Sequence, residues 1–304
     1  MVFIRERKRG ITTHYEAVET VRENGKVSQK TVQYLGNKKK MLAYCKRHRI
    51  KPPQETGMLD DRTAAILEKK LARLNKIRPL SPITLESLRK KFEVEMTYNS
   101  NAIEGNRLSL KETFLVIEKG MTIGGKSVKE HLEAVNHKEA ILLLEKLANK
   151  KTRVTEADIL QLHSIIMSKI DPQNAGFYRQ VQVFITQSKH RPPSFREVPD
   201  LMKRVLEELN SKEAGGKAVE SATKLHHLFV WIHPFVDGNG RVARLLTNLR
   251  LMRATFPPIV LQKKIRMTYY RALEAGDEGD LKPLAGIIVR DVDRALDLYL
   301  EAAG

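Results

Sequence analysis

Twelve consecutive residues, His233 to Arg244 (HPFVDGNGRVAR), bring together a base, a carboxylate, a turn of small residues and two arginines. Transfer of a phosphate-linked group needs that set. The protein has little covalent work to do there beyond moving a proton, neutralising charge and holding phosphates in line. An imidazole such as that of His233 takes a proton from an attacking hydroxyl near neutral pH. Gly238, Asn239 and Gly240 tolerate positive φ, and successive N–H groups in such a turn form an anion-binding nest. A helix over 241–252 starts at this turn, so its N-terminus faces the same anion. Asp237 offers hard oxygen to a Mg²⁺ or Mn²⁺ that bridges phosphates. Arg241 and Arg244 lie three apart on one helix face and can reach the outer phosphates of a nucleotide. The bland alternative, a helical corner with a buried histidine and solvated arginines, accounts for these residues only one at a time.

Positioning this run requires helices on both sides. Residues 221–232 read as a helix with Leu225, Leu228, Phe229 and Ile232 on one apolar stripe, and Pro234 stops it just after His233. His233 is therefore expected at a helix end, open to a cleft. Periodicity places further helices at about 60–76, 83–101, 109–119, 129–148, 155–169, 195–211, 218–232, 239–253, 264–275 and 280–301, with a capping-box start at Thr155 and Asp158. Residues 181–186 alternate and are β-branched, which predicts a short strand, with 184–193 as a small hairpin beside the site. The fold class expected is all-α, apart from this flap and an N-terminal hairpin.

That hairpin belongs to a segment of different character. Residues 1–55 contain fourteen Lys and Arg against five Glu, a net of +9 and half of the chain's +18. Residues 14–21 and 27–34 are strand-like around a turn at Asn24-Gly25, a basic helix is expected over 38–48, and Pro52-Pro53 marks a boundary. The expected organisation is a basic module over 1–55, a helical region over 56–108 and a core domain over 109–304. The charge favours acidic partners, nucleic acid among them. One cysteine, Cys45, excludes an intrachain disulfide. No window reads as a signal peptide or membrane span, so a cytoplasmic location is expected and no membrane partner.

The pattern H-P-F-x-D-G-N-G-R-x-x-R is that of Fic proteins, and the chain resembles a Fic-type AMP transferase over roughly residues 83–300. The resemblance implies transfer of AMP from ATP, with Mg²⁺ or Mn²⁺, to a Ser, Thr or Tyr hydroxyl of a protein, the chain itself included. His233 would be the base, Asp237 the metal ligand, and Asn239 a support of the phosphate cradle. Gly238, Gly240 and Arg241 would hold the α- and β-phosphates and Arg244 the γ-phosphate. Val183, Phe184, Ile185 and Thr186 resemble the flap that holds a target segment as an added strand. Tyr269 and Tyr270 resemble positions near the adenine, although adjacent helical residues cannot share a face. Ser100-Asn101-Ala102-Ile103-Glu104-Gly105 resembles the inhibitory motif [S/T]-x-x-x-E-[G/N], in which Glu104 takes Arg244 from the γ-phosphate as a bidentate pair. Read bare, the same letters are a helix end, with Glu104 on the surface and Gly105 as the C′ glycine.

Other readings remain beside this one. Members of the fold can transfer UMP, phosphate or phosphocholine, and a carboxylate at Glu104 could instead position water to remove AMP. Residues 1–55 loosely resemble a hairpin module (K-V-x-Q-x-T-V-x-Y-L-G) that opens some transposase-like proteins, which implies docking of nucleic acid or of a target. Gly120 to Ser127 matches the P-loop pattern G-x-x-x-x-G-K-[ST], but a helical pattern precedes it where a P-loop needs a buried strand. The target protein and the oligomeric state, a dimer included, are not legible.

Overall fold

The computed structural model describes residues 2–9, 12–23, 26–50, 57–185 and 188–304. The turn at Asn24-Gly25, the Pro52-Pro53 boundary and Thr186 of the flap lie outside the described residues. Two compact units are present: Met1–Gly57 with Glu274–Asp280, and Met58–Leu273 with Leu281–Gly304.

The first unit is a three-stranded antiparallel sheet in the order β1 (Val2–Arg9), β2 (Thr12–Glu23), β3 (Lys26–Gly36), followed by α1 (Lys38–His48). The expected hairpin is thus one strand short. Val2, Phe3 and Ile4 form an unbroken apolar run, and the charged residues from Arg5 to Arg9 hide a strand that pairs Ile4 with Ala17 and Glu6 with Tyr15. One sheet face lays Tyr15, Ala17 and Leu35 on Met41 and Cys45 of α1, a small core completed by Val2, Ile4 and Tyr44. On the other face, Glu16 accepts from Arg7 Nε at 3.2 Å and from Thr31 Oγ1 at 3.3 Å.

The second unit is helical: α2 (Asp61–Ile77), α3 (Pro82–Ile103), α4 (Leu110–Lys119), α5 (Val128–Ala148), α6 (Glu156–Met167), α7 (Val198–Leu209), α8 (Gly215–Ile232), α9 (Asn239–Arg253), α10 (Arg266–Asp277, crossing into the first unit) and α11 (Lys282–Ala302). Local chemistry sets the starts. Ser109 with Glu112, Ser127 with Glu130 and Thr155 with Asp158 form reciprocal capping boxes, each N-cap contributing about 0.5–2 kcal/mol. The stripe Leu225, Leu228, Phe229, Ile232 of α8 is buried as expected, each side chain contributing about 1.5–3 kcal/mol by leaving water. No helix among the described residues is long and apolar enough to cross a membrane.

Helix α9 runs through the middle of this unit, packed against α8, α5, α3, α6 and α7, and nearly every residue from Asn239 to Leu251 is buried. That burial includes Arg241, Arg244 and Arg250. A buried guanidinium is costly unless its donors are met. Arg250 is met: Nε donates to Ser221 Oγ at 3.1 Å and Nη2 to the Glu213 carbonyl at 2.8 Å. The other two are not.

The flap differs from expectation. Residues 181–185 and 188–193 form no strand pair; Gln182 Nε2 bonds the Pro192 carbonyl at 2.8 Å, and Ser188 N the Ile185 carbonyl at 3.2 Å. The β-branched pattern there has no sheet to join, so it yields an open loop with Val181 and Phe184 exposed and Val183 and Ile185 half-buried.

Candidate active site

Helix α8 ends at His233, which takes left-handed backbone angles (φ 51°, ψ 59°). A non-glycine residue there costs about 1–2 kcal/mol, so the surroundings must impose it. Three residues do. Arg179, buried to 2 % exposure, donates to the carbonyls of His233 (2.8 Å), Val181 (3.0 Å), Pro193 (2.6 Å) and Ile232 (3.4 Å), and its backbone N–H meets Pro234 O at 2.9 Å. Asn239 closes the turn on Phe235 from both sides, Oδ1 accepting from Phe235 N at 3.0 Å and Nδ2 donating to Phe235 O at 2.9 Å. His163 stacks flat on Phe235 with centroids 3.6 Å apart. Its Nδ1 accepts from Gly176 N at 2.9 Å, which leaves Nε2 to donate to the Asp237 carbonyl at 3.1 Å.

Asn239 is therefore a clamp on the turn; its amide is spent on Phe235 and is not a phosphate contact. Sequence reasoning missed His163 and Arg179 because both act on backbone carbonyls distant in sequence. The only signal for Arg179 was its place in Gly176-Phe177-Tyr178-Arg179.

Beyond the clamp, α9 begins at Gly238 and Asn239. Gly238 has φ 80°, and a Cβ there would come within 3.1 Å of Met167 Sδ. Arg241 lies 3.4 Å from Asp237 Oδ1 and 3.5 Å from Glu133 Oε1, both long for hydrogen bonds. Its Nε is buried without a partner, and Nη1 has only the long contact to Glu133. Arg244 donates from Nε to Ser100 Oγ (2.9 Å) and from Nη2 to Ser100 O (2.8 Å) and Glu104 Oε1 (2.6 Å), while Nη1 is buried without a partner. The expected bidentate pair is thus shared: Ser100 takes two of the contacts and Glu104 one. Ser100 and Glu104 are four apart at the end of α3, on one helix face, so a single turn supplies both.

Glu104 is the C-cap of α3 and Gly105 follows at φ 106°, so the segment is a helix end and an arginine partner together. Its carboxylate fills the space over Gly240: a Cβ on Gly240 would collide with Glu104 Oε1 and lie 3.1 Å from Arg244 Nη1. The glycine is required where the two side chains meet the first turn of α9. Glu133, on α5, is a carboxylate that sequence spacing gave no reason to single out; besides Arg241 it holds Asn106 Nδ2 at 2.8 Å.

Two titrations bear on chemistry. Burial pushes His233 down to about 4, helped by Arg179 and His190; the Val230 carbonyl and Glu104 partly offset this, although Nδ1 makes no full hydrogen bond. The ring is neutral at physiological pH and can accept a proton. Burial pushes Asp237 up, but Arg241 and the Gly238 N–H (2.6 Å from Oδ1) outweigh it, so the carboxyl sits below its ordinary value and is ionised. The Asp237 side chain is 52 % exposed. Among the described residues no group of three or more His, Cys, Asp and Glu could hold a metal ion. One exposed carboxylate fits a Mg²⁺ only if phosphate oxygens complete the shell.

The two tyrosines face different ways, as adjacent helical residues must. Tyr269 is 2 % exposed, with its hydroxyl 2.7 Å from His226 Nε2 behind Arg244. Tyr270 donates to the Ile103 carbonyl at 3.1 Å and accepts from Arg266 Nε at 3.2 Å, which fastens the end of α3. Both hydroxyls are spent on protein partners. The P-loop match is a coincidence of letters: Gly120 caps α4, Ser127 caps α5, and Lys126 Nζ bonds the Arg107 carbonyl at 2.7 Å.

Comparison with known proteins gives this arrangement a context. Residues 153–251 match the model of the Fic/DOC family. The chain is 36% identical to Protein adenylyltransferase Fic of Drosophila willistoni over 80% of its own length and 49% of the relative's. For the protein of that name from Aedes aegypti the figures are 38%, 79% and 50%. The chain thus spans about half the length of the curated relatives it matches. A Fic domain containing signaling protein from Bacteroides thetaiotaomicron superposes with TM-score 0.71 at 28% identity, over 78% of this chain and 96% of that one. A Glu-to-Gly variant of Fic-1 from C. elegans superposes with TM-score 0.69 at 31% identity, over 79% and 72%.

Proposed function

The chain belongs to the Fic/DOC family, and on that premise we propose that it is a protein adenylyltransferase that moves AMP from ATP to a protein hydroxyl and is held back by Glu104. The observation that carries the reading is the unmet charge of α9. Arg241 Nε is a buried donor without a partner, and Arg241 Nη1 and Arg244 Nη1 make no hydrogen bond, whereas Arg250 on the same helix donates from both Nε and Nη2. A protein core leaves guanidinium donors open only at a cost of about 1–3 kcal/mol or more each, which an anionic ligand would repay. The Asn239 and Gly240 N–H groups at the N-terminus of α9 add donors for the same anion, while the Gly238 N–H is held by Asp237.

In this mechanism the nucleotide's phosphates lie over the start of α9, with Arg241 on the inner phosphates and Arg244 on the γ-phosphate. The target hydroxyl passes its proton to His233 and its oxygen forms a bond to the α-phosphorus. The bond from that phosphorus to the α–β bridging oxygen breaks, and pyrophosphate leaves. A divalent cation on Asp237 would neutralise phosphate charge as it shifts to the leaving group. While Glu104 holds Arg244 Nη2, the γ-phosphate lacks its seat and the α-phosphate is not in line. The likeness to proteins known as protein adenylyltransferases supports this reading. The test is transfer of label from ATP labelled at the α-phosphate, onto the protein itself and onto lysate proteins, by the wild-type chain and by His233→Ala. The variant is expected to lose transfer and keep ATP binding; unchanged transfer by His233→Ala would overturn the assignment.

A further inference from the structure

The first unit carries a feature that the transfer chemistry does not use. Between β3 and α1 runs a groove of about 390 Å³ lined by Gln33, Tyr34, Lys40, Tyr44, Arg47 and His48 among others. Lys40, Tyr44, Arg47 and His48 follow the i, i+4, i+7, i+8 spacing of one helix face, next to the stripe Met41 and Cys45 that packs on the sheet. Tyr44 and His48 are stacked with centroids 4.1 Å apart, and Tyr34 across the groove is 60 % exposed. Helix α1 contains no acidic residue, and among the described residues Lys40 and Arg47 have no ion-pair partner. Residues 1–55 as a whole carry +9.

We infer that this groove binds single-stranded nucleic acid, with backbone phosphates against Lys40 and Arg47 and a base against the Tyr44–His48 ring pair. Charge complementarity selects a polyanion. The aromatic lining selects among polyanions. An acidic peptide gains nothing special from stacked rings, and in a duplex the bases are already stacked on one another. A single strand offers both a phosphate line and open base faces, the combination that a cationic groove with aromatic walls meets. Tyr44 also packs against the core of the unit, while Tyr34 on the other wall of the groove keeps its ring largely exposed.

The test is fluorescence anisotropy of a labelled oligothymidylate titrated with the full chain across a salt series. Log affinity is expected to fall linearly with log salt. Lys40→Glu with Arg47→Glu should weaken binding by about tenfold or more and flatten the slope by about 1.4, two contacts at about 0.7 each. The control is Lys69→Glu with Arg73→Glu, both exposed on α2, which makes the same change in net charge and should leave the slope unaltered. Tyr44→Leu keeps apolar bulk against the sheet and should cost about fivefold or more with the slope unchanged. Equal losses in the two charge-reversed variants would refute the site. Equal or tighter binding of a duplex, or competition by polyglutamate at matched charge as strong as by the oligonucleotide, would refute the choice of partner.

Discussion

Replacing Glu104 by glycine takes one contact from Arg244 and leaves the rest of its support standing. Nε keeps Ser100 Oγ and Nη2 keeps the Ser100 carbonyl, so the guanidinium stays where it is while its outer edge opens. A charge-assisted hydrogen bond contributes about 1.5–3 kcal/mol. The Glu104 side chain is 35 % exposed, and solvent screening puts this one at the lower end, about 1.5 kcal/mol. At about 1.4 kcal/mol per factor of ten, the open state of Arg244 rises about tenfold. The helix end should tolerate the change, because Glu104 is only the C-cap and Gly105 already makes the left-handed turn. Initial rates of AMP transfer from ATP onto the protein itself should therefore rise about tenfold, mainly in turnover, because Arg241 and the glycine turn bind nucleotide in both states. Glu104→Gln keeps the shape and a bond from the charged guanidinium to an uncharged amide oxygen, weaker than the ion pair, and should give an intermediate gain. Arg244→Ala added to Glu104→Gly should erase the gain. Equal rates in wild type and Glu104→Gly, or a gain that survives Arg244→Ala, would refute the pairing as the brake.

Arg241→Ala should weaken ATP binding by about 1.5–3 kcal/mol while Lys126→Ala leaves it unchanged; calorimetric titration of both checks this, and the reverse ranking would restore the P-loop reading. Mg²⁺ should bind with ATP and not without it, since Asp237 alone is too sparse a site, and Asp237→Ala should lose transfer with the unfolding temperature nearly unchanged. Stability should fall as pH drops below 6.5. Burial holds His137 and His226 at about 3 and His163 at about 4 in the folded chain, so the unfolded chain binds more protons between pH 6.5 and 4. Between pH 7 and 5.5 each of these and His233, also at about 4, costs about 1.2 kcal/mol, roughly 5 kcal/mol together, and Asp291, raised by burial to about 6, returns about 0.8 kcal/mol. Denaturant melts at the two pH values measure the difference, and a flat profile would contradict the burial of these rings.

The helices were legible because their signals are local. Capping boxes and apolar stripes placed α2 to α11 within a few residues, and the Pro after His233 marked the end of α8 where it falls. The core motif was legible because its chemistry is compressed into one loop and one helix turn. What failed did so where tertiary context decides. Residues 2–9 carry no period-two pattern that marks a strand, and only pairing with β2 makes them one. The flap alternates like a strand but has no neighbour to pair with. Tyr269 and Tyr270 look equivalent in sequence, yet one hydroxyl turns to His226 in the core and the other to the end of α3. His163, Arg179 and Glu133 carry no spacing that announces them, since each acts across dozens of residues.

Arg179 has one more consequence, and it concerns how such a protein can diversify. Its guanidinium grips both roots of the open loop, at Val181 and Pro193, and the carbonyl of the base itself. The described residues between the roots, 181–185 and 188–193, have no ladder to preserve, and Val181 and Phe184 are exposed there. A displacement of about 1 Å at a reacting atom can cost about a hundredfold in rate, so the base tolerates little drift. With both roots tied to His233 by a single side chain, substitutions between them can change which surface is met without retuning the proton acceptor. Selection can then act on recognition and on chemistry as separate traits.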